Sequence, residues 1–487
     1  MMTPDLSEEN TPPLSKRPAQ SLKFSQFFTI VLSIFFLAGN GLIMWGYASL
    51  SPLERVAGPE RSLERLTSRI LVLEHAFRQV AKGEQLLYRL LSGNENAVMR
   101  AIREYEELEN YSDDPLVDLY LGILEVEAGH QEAAAKRIQA WKGQAAPFPL
   151  FREFLQAAYF PDSTPLPDVE KLQAHLAEEV PDNWFYSRLA IQIAKNGGDT
   201  GFALLTERRL NEGAYQLLWS NRLLILFEVG GSLFGLVVMA LVVKRYIGSP
   251  PGSLRVSRRT LPPRWTETDG FAVLVRGGAI STFLLLLLSL MELSSQMVVI
   301  ASMLILYGPV VLLAYYYLVL PNNLTVNRAF GFRISYGRGK RVFWVLFVLL
   351  SAGLIGDWVI TVALGPNHGS LHWTEWFDQN LVWGTPIEAA LTLVEYSMIA
   401  PFFEEVIFRG ILFATLRHRF GWGTSAVFSA LLFSIVHGYG LVGFLTIFWS
   451  GMLWAWAYEK TGSLWPGVIA HGMNNLLVSL TLIALFR

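Results

Sequence analysis

The sequence predicts an all-α polytopic membrane protein: a C-terminal helical bundle in the bilayer, preceded by a soluble α-helical insert. Three observations lead there. Of 487 residues, 52% are hydrophobic, several apolar runs reach the length of a membrane span, and the stretch 51–216 between the first two runs is polar and charged. Crossing a hydrocarbon core about 30 Å thick takes about 20 apolar residues, and backbone polar groups survive there only in helices or closed barrels.

Each element follows from the local composition. Residues 1–23 are proline-bearing and polar, with Lys16, Arg17 and Lys23 before the first apolar run, and read as a disordered cytoplasmic tail. The run 24–48 is too long for a typical signal-peptide core and reads as an uncleaved signal anchor. In 51–216, Leu121-Gly122, Gly129 and Ala134 are nearly repeated by Leu189-Ala190, Gly197 and Ala203, with the leucines 68 residues apart. That is two periods of 34, the spacing of tetratricopeptide-like helical hairpins, and an ordinary irregular helical domain is the competing reading. Either would offer a surface for a substrate or partner protein.

A second span is expected at 223–243, followed by a basic cytoplasmic loop over 244–269. Residues 270–487 then hold about seven spans, near 271–293, 296–320, 342–364, 387–416, 424–441, 442–458 and 464–486. Lys244, Arg245, Arg255, Arg258, Arg259 and Arg264 in one loop, and Arg328, Arg333, Arg338, Lys340 and Arg341 in another, put both on the cytoplasmic side. Alternation then places the insert outside the cytoplasm, as on the periplasmic face of a bacterial inner membrane. Trp373, Trp376 and Trp383 read as an interfacial aromatic belt.

Composition also excludes classes. With no cysteine there is no disulfide framework, thiolate nucleophile or cysteine-ligated zinc, and a net charge of -2 gives no footprint for nucleic acid. No phosphate-cradling glycine motif appears.

Chemistry is concentrated in the last spans. Glu404 and Glu405 are adjacent within an apolar helix, with Arg409 one turn after Glu405, so Glu405 and Arg409 pair while Glu404 turns about 100° to another face. Charged residues at membrane depth are costly and usually functional. His437 follows Phe433 by four residues in the next helix, and His471 and Asn475 are four apart in the last. A carboxylate shielded from water can take a proton from water, an imidazole can hold that water, and His and Asn can donate to an oxyanion. Taken singly, each histidine is more often a helix-packing residue, and Phe433 reads as pocket wall. His368, His372 and Glu375 in the loop after 364, and Asp357, Glu395 and Glu228 in or near spans, are weaker candidates.

Glu404-Glu405-x-x-x-Arg409, Phe433-x-x-x-His437 and His471-x-x-x-Asn475, in that order, resemble the CPBP intramembrane proteases, the group that includes CAAX prenyl proteases and bacteriocin-processing or immunity proteins. The resemblance spans roughly 270–487. It implies a helical bundle enclosing a polar cavity and endopeptidase activity, with Glu404 and His437 activating water, His471 and Asn475 at the oxyanion, and Glu405 and Arg409 supporting. It leaves open a metal-free mechanism, which the sequence favours, and a Zn2+ site on Glu404, His437 and His471, for which no short-spaced His-Glu-x-x-His stands in the chain. Membrane lipid and a peptide or protein substrate are the implied partners. A non-catalytic scaffold or immunity-type protein that keeps the motif is the rival from another class, and a transporter lacks support because no related halves are visible.

Overall fold

The computed structural model describes residues 25–92, 96–161, 168–246, 253–291, 293–368 and 372–487; the tail expected over 1–23 lies outside them. All regular elements among these residues are helical. Helix α1 (Gln26–Ser49) is followed by nine helices that build and leave the insert: α2 (Pro59–Phe77), α3 (Lys82–Ser92), α4 (Ala97–Glu109), α5 (Pro115–Glu127), α6 (Gln131–Ala140), α7 (Phe148–Tyr159), α8 (Val169–Glu179), α9 (Trp184–Asn196) and α10 (Thr200–Tyr246). The bundle continues with α11 (Glu267–Ser289), α12 (Ser295–Ala314), α13 (Val326–Phe330), α14 (Gly339–His368), α15 (Gln379–Val382), α16 (386–416), α17 (Trp422–Ile435), α18 (Leu441–Thr461) and α19 (Trp465–Phe486).

Capping explains where the insert helices begin. Asp114 accepts from the Leu116 amide with Pro115 at the first helical position, and Asn183 accepts from the Tyr186 amide. Their apolar faces meet in one core, in which Leu121, Ala134, Leu189 and Ala190 are fully buried. Small residues stand where helices cross: a Cβ on Gly122 would lie 2.9 Å from the Leu155 side chain, which would have to shift to admit it.

Two expected boundaries differ. Insert and second span were expected as separate elements, yet α10 is one helix of 47 residues, about 70 Å long at 1.5 Å per residue. The run Gln216–Arg222 between them holds no proline or glycine, so nothing ends the helix. The expected span 424–441 is the 14-residue α17, about 21 Å long and shorter than the hydrocarbon core, because the chain turns at Gly438, where φ is +67°. Seven described helices are long and apolar enough to cross a bilayer: α1, α10, α11, α12 with its continuation to Val319, α14, α18 and α19. Helix α16 is also continuous and apolar, but its turns alternate between α and π.

The insert rests on one end of the bundle. Its core runs on through Trp373, Leu381, Val382, Leu482 and Phe486. Arg65 Nε donates to the Phe486 carbonyl at 3.0 Å and Arg69 Nη1 to that of Ala484 at 3.2 Å, filling the unpaired carbonyls that end α19. Trp373 and Trp383 therefore do not form a lipid-facing belt. Trp373 is buried in the shared core, and Trp383 carries the Arg61 guanidinium 4.0 Å over its ring. The two basic loops meet at the other end of α10, where the amide of Ser335 donates to Val256, and Arg338 and Arg341 both donate to the Arg255 carbonyl.

Candidate active site

The site is built where α16, α17, α18 and α19 pack around a polar cluster. The Glu405 to Arg409 spacing gives the expected pair, Nη1 to Oε1 at 2.7 Å, with both side chains essentially inaccessible. Two buried charges are tolerable only when paired, and here the cation also lies 4.4 Å over the ring of Phe433 and 5.1 Å over that of Trp454. A Cβ on Gly451 of α18 would sit 2.9 Å from Arg409 Nη2, so glycine leaves room for the guanidinium.

Glu404 points elsewhere and keeps 19% of its side chain accessible. Its Oε1 accepts from Tyr307 Oη at 3.1 Å, and its Oε2 lies 3.6 Å from His471 Nε2. The other ring nitrogen of His471 lies 3.6 Å from Glu405 Oε1, so the imidazole stands between both carboxylates. The ring is fixed by a face-to-face stack on Trp454 at 4.1 Å and by the edge of Phe433 at 5.7 Å. Buried His471 Nδ1 and Glu405 Oε2 make no hydrogen bond among the described residues, which leaves polar capacity inside the site.

His437 lies in the turn after α17 rather than within a span. Its Nδ1 is 2.6 Å from the Phe433 carbonyl, an acceptor only, so Nδ1 carries the proton and Nε2 presents a lone pair. Its ring packs 4.6 Å from that of Phe433.

Asn475 Nδ2 donates to the Tyr396 carbonyl at 3.0 Å. The reason lies in α16, whose segment Glu395–Ile399 is π-helical, with the Ala400 amide donating to Glu395 five residues back. The next donor in that pattern would be Pro401, which has no N–H, so the Tyr396 carbonyl has no helical partner. The amide on α19 takes the proline's place. Its second N–H stays available. Gly472 makes the approach possible, since a Cβ there would lie 2.3 Å from the Ser397 carbonyl oxygen.

The residues singled out from sequence thus gather around α16 and α19, and two neighbours join them that sequence reasoning missed. Tyr307 comes from α12, 97 residues from Glu404, and stacks on Phe403 at 5.2 Å; Trp454 backs His471 from α18. Neither position has a spacing signal. Asp357 lies instead toward Glu228 between α14 and α10, while Glu395 lies near both Asp378 and the site's own Tyr307. His372 bonds Thr374 Oγ1 at 2.7 Å and Glu375 accepts from the Gly440 amide at 3.1 Å, while the His368 side chain lies outside the described residues. Among the described residues, no three His, Asp or Glu side chains are grouped closely enough to hold a metal ion.

Comparison with known proteins bears on this segment. Residues 386–477 match the family model described as Type II CAAX prenyl endopeptidase Rce1-like. Over 88 residues the chain is 32% identical to YdiL of Bacillus subtilis, by name a candidate membrane peptidase; the match covers 18% of this chain and 36% of that protein. The chain thus spans about a third of that curated relative's length. No solved structure matches. All seven residues singled out from the sequence motifs fall within 386–477, and the family recognised for this C-terminal segment is that of the Rce1-like type II CAAX prenyl endopeptidases.

Proposed function

We propose that the protein is an intramembrane endopeptidase that hydrolyses a peptide bond of a membrane-associated protein or peptide. The observation that carries this reading is the Glu404 carboxylate: partly accessible, 3.1 Å from the Tyr307 hydroxyl and 3.6 Å from His471, inside the Rce1-like segment. Glu404 takes a proton from water, which the His437 Nε2 lone pair helps to hold. The resulting hydroxide adds to the carbonyl carbon of the scissile bond. The oxyanion that forms is met by His471 and by the second N–H of Asn475. The C–N bond then breaks as the proton held on Glu404 passes to the departing amine, and the carboxylate is restored. Glu405 and Arg409 hold His471 in place from behind.

In this reading no metal takes part. A metalloprotease would instead lose activity on chelation and regain it with Zn2+. The insert lies at the end of α10 opposite the basic loops, which supports an extracytoplasmic position in a plasma membrane, and as either a tetratricopeptide-like array or an irregular helical domain it would present substrate or a partner protein.

The test is quantitative proteomics of membranes carrying wild type or Glu404→Gln, followed by cleavage of a recovered substrate by the reconstituted protein. Loss of one set of processed termini, with the variant folded, supports the reading. Unchanged processing in Glu404→Gln would instead leave a scaffold or immunity-type role.

A further inference from the structure

Two cavities lie one above the other along α10, each closed on one side by α19; α14 and α18 complete the wall of the lower, and α2 and α9 of the insert that of the upper. The lower is about 670 Å³, walled by apolar side chains including Leu223, Phe227 and Leu477, with Asn474 and Trp454 at its inner side. The upper is about 860 Å³, lies where the insert meets the end of α19, and is polar, with Arg69, Arg209 and Arg487 against a single acid, Asp182. The linings fall on the same faces. Along α10 they recur every third or fourth residue through Gly213, Leu217, Ser220, Leu223, Phe227 and Gly231; along α19, Ala470, Met473 and Leu477 line the lower cavity, and two turns further on Ala484 and Arg487 line the upper.

From this we infer that the α10–α19 seam binds one anionic phospholipid, its phosphate among Arg69 and Arg209 and an acyl chain in the apolar cavity below. Three observations favour this occupant. Neither Arg69 nor Arg209 forms an ion pair with a carboxylate among the described residues; Arg69 bonds only the Ala484 carbonyl, and Arg487 is committed to the carbonyls of Asn380, Leu381 and Gly384. The change from polar to apolar lining comes between Ser220 and Leu223, where the membrane-spanning part of α10 begins, so headgroup and chain would each meet matching surroundings. A helix about 10 Å across takes roughly 120 Å³ per residue, so the lower cavity accepts about six residues of one rather than the roughly 20 of a span. The chain's inner wall is Trp454, the ring that stacks on His471, so the lipid would back the catalytic cluster without touching it.

The experiment measures binding to the full-length protein in neutral detergent by native mass spectrometry and thermal shift. The probes are dioleoyl phosphatidylglycerol, dioleoyl phosphatidylcholine, glycerol phosphate and a soluble oligoglutamate peptide. The expected result is one saturable phosphatidylglycerol with at least tenfold preference over phosphatidylcholine. Arg69→Gln with Arg209→Gln should abolish that preference. Gly231→Phe should block the lipid by filling the apolar part, where a Cβ at residue 231 meets no atom within 4 Å. Equal binding of both lipids, an unaltered preference in the arginine variant, or glycerol phosphate or oligoglutamate binding as tightly as the lipid would overturn the inference. Because Gly231→Phe keeps both arginines, misfolding of the charge variant does not decide the outcome.

Discussion

The bond from Asn475 to the Tyr396 carbonyl sets up a test that is independent of any substrate. If the amide stands in for the N–H that Pro401 lacks, its removal should cost much in the native background and little where residue 401 has an N–H of its own. Asn475→Ala leaves a carbonyl without a donor, a loss of about 1–3 kcal/mol in protein interiors. Hydrogen bonds between membrane helices average nearer 0.6 kcal/mol and reach about 1.7, since the unfolded chain in lipid also finds partners. The expectation is therefore a loss of about 1–2 kcal/mol for Asn475→Ala, reduced by about 1 kcal/mol in the presence of Pro401→Ala. A double-mutant cycle read by steric trapping in bicelles gives this coupling directly. The reasoning is refuted if Asn475→Ala destabilises both backgrounds equally to within about 0.3 kcal/mol, the scatter expected of independent sites.

Four further outcomes are expected. Replacing Arg409 by Met strands the buried Glu405 carboxylate and should cost about 3–5 kcal/mol of stability, much of it recovered by Glu405→Gln in the same chain; no recovery in thermal unfolding would count against a buried ion pair. Gly451→Ala pushes a methyl to 2.9 Å from Arg409 and 3.0 Å from the Ala430 Cβ, and should lower stability by about 1–3 kcal/mol, whereas an unchanged melting temperature would contradict that packing. Tyr307→Phe removes a hydrogen bond to a carboxylate worth about 1.5–3 kcal/mol, so cleavage, once a substrate is known, should slow roughly ten- to a hundredfold with the fold intact; an unaltered rate would take Tyr307 out of the site. In the loop before α15, burial and then Arg55 lower the His372 pKa from 6.5 to about 4, so the unfolded chain binds the extra proton between those values and stability should fall as pH drops from about 6.5 to 4; His372→Gln should flatten that slope, and a slope unchanged by it would refute the assignment.

Much of this was legible in the sequence because membrane helices announce themselves by length and hydropathy, and because charged residues inside them are too costly to be incidental. The pairing of Glu405 with Arg409 follows from helix periodicity alone. Convergence of Glu404 with His471 required the pattern of three motifs together, since nothing local says which faces of two helices meet. Tyr307 was invisible: one tyrosine in an apolar helix reads as packing, and only the tertiary fold brings its hydroxyl to Glu404. The π turns around Pro401 were equally hidden, as no residue pattern separates them from a proline kink, and with them the actual bond of Asn475. His437 was placed too deep in a helix because the stop signal of Gly438 and Gly440 was outweighed by the apolar run before it. The tryptophans of the loop 372–383 misled for a related reason: an indole at a membrane boundary suits lipid headgroups and the underside of a docked domain equally well.

The unbroken course of α10 makes the attachment of the insert a matter of phase. One residue added between Gln216 and Leu223 would swing everything before it by about 100° and raise it about 1.5 Å, carrying Arg65 and Arg69 off the carbonyls at the tip of α19. Seven added residues would nearly restore the bearing but leave a step of about 10 Å. A shaft keyed at both ends admits no gradual lengthening, so the stand-off of the insert from the bilayer is a fixed dimension of the molecule.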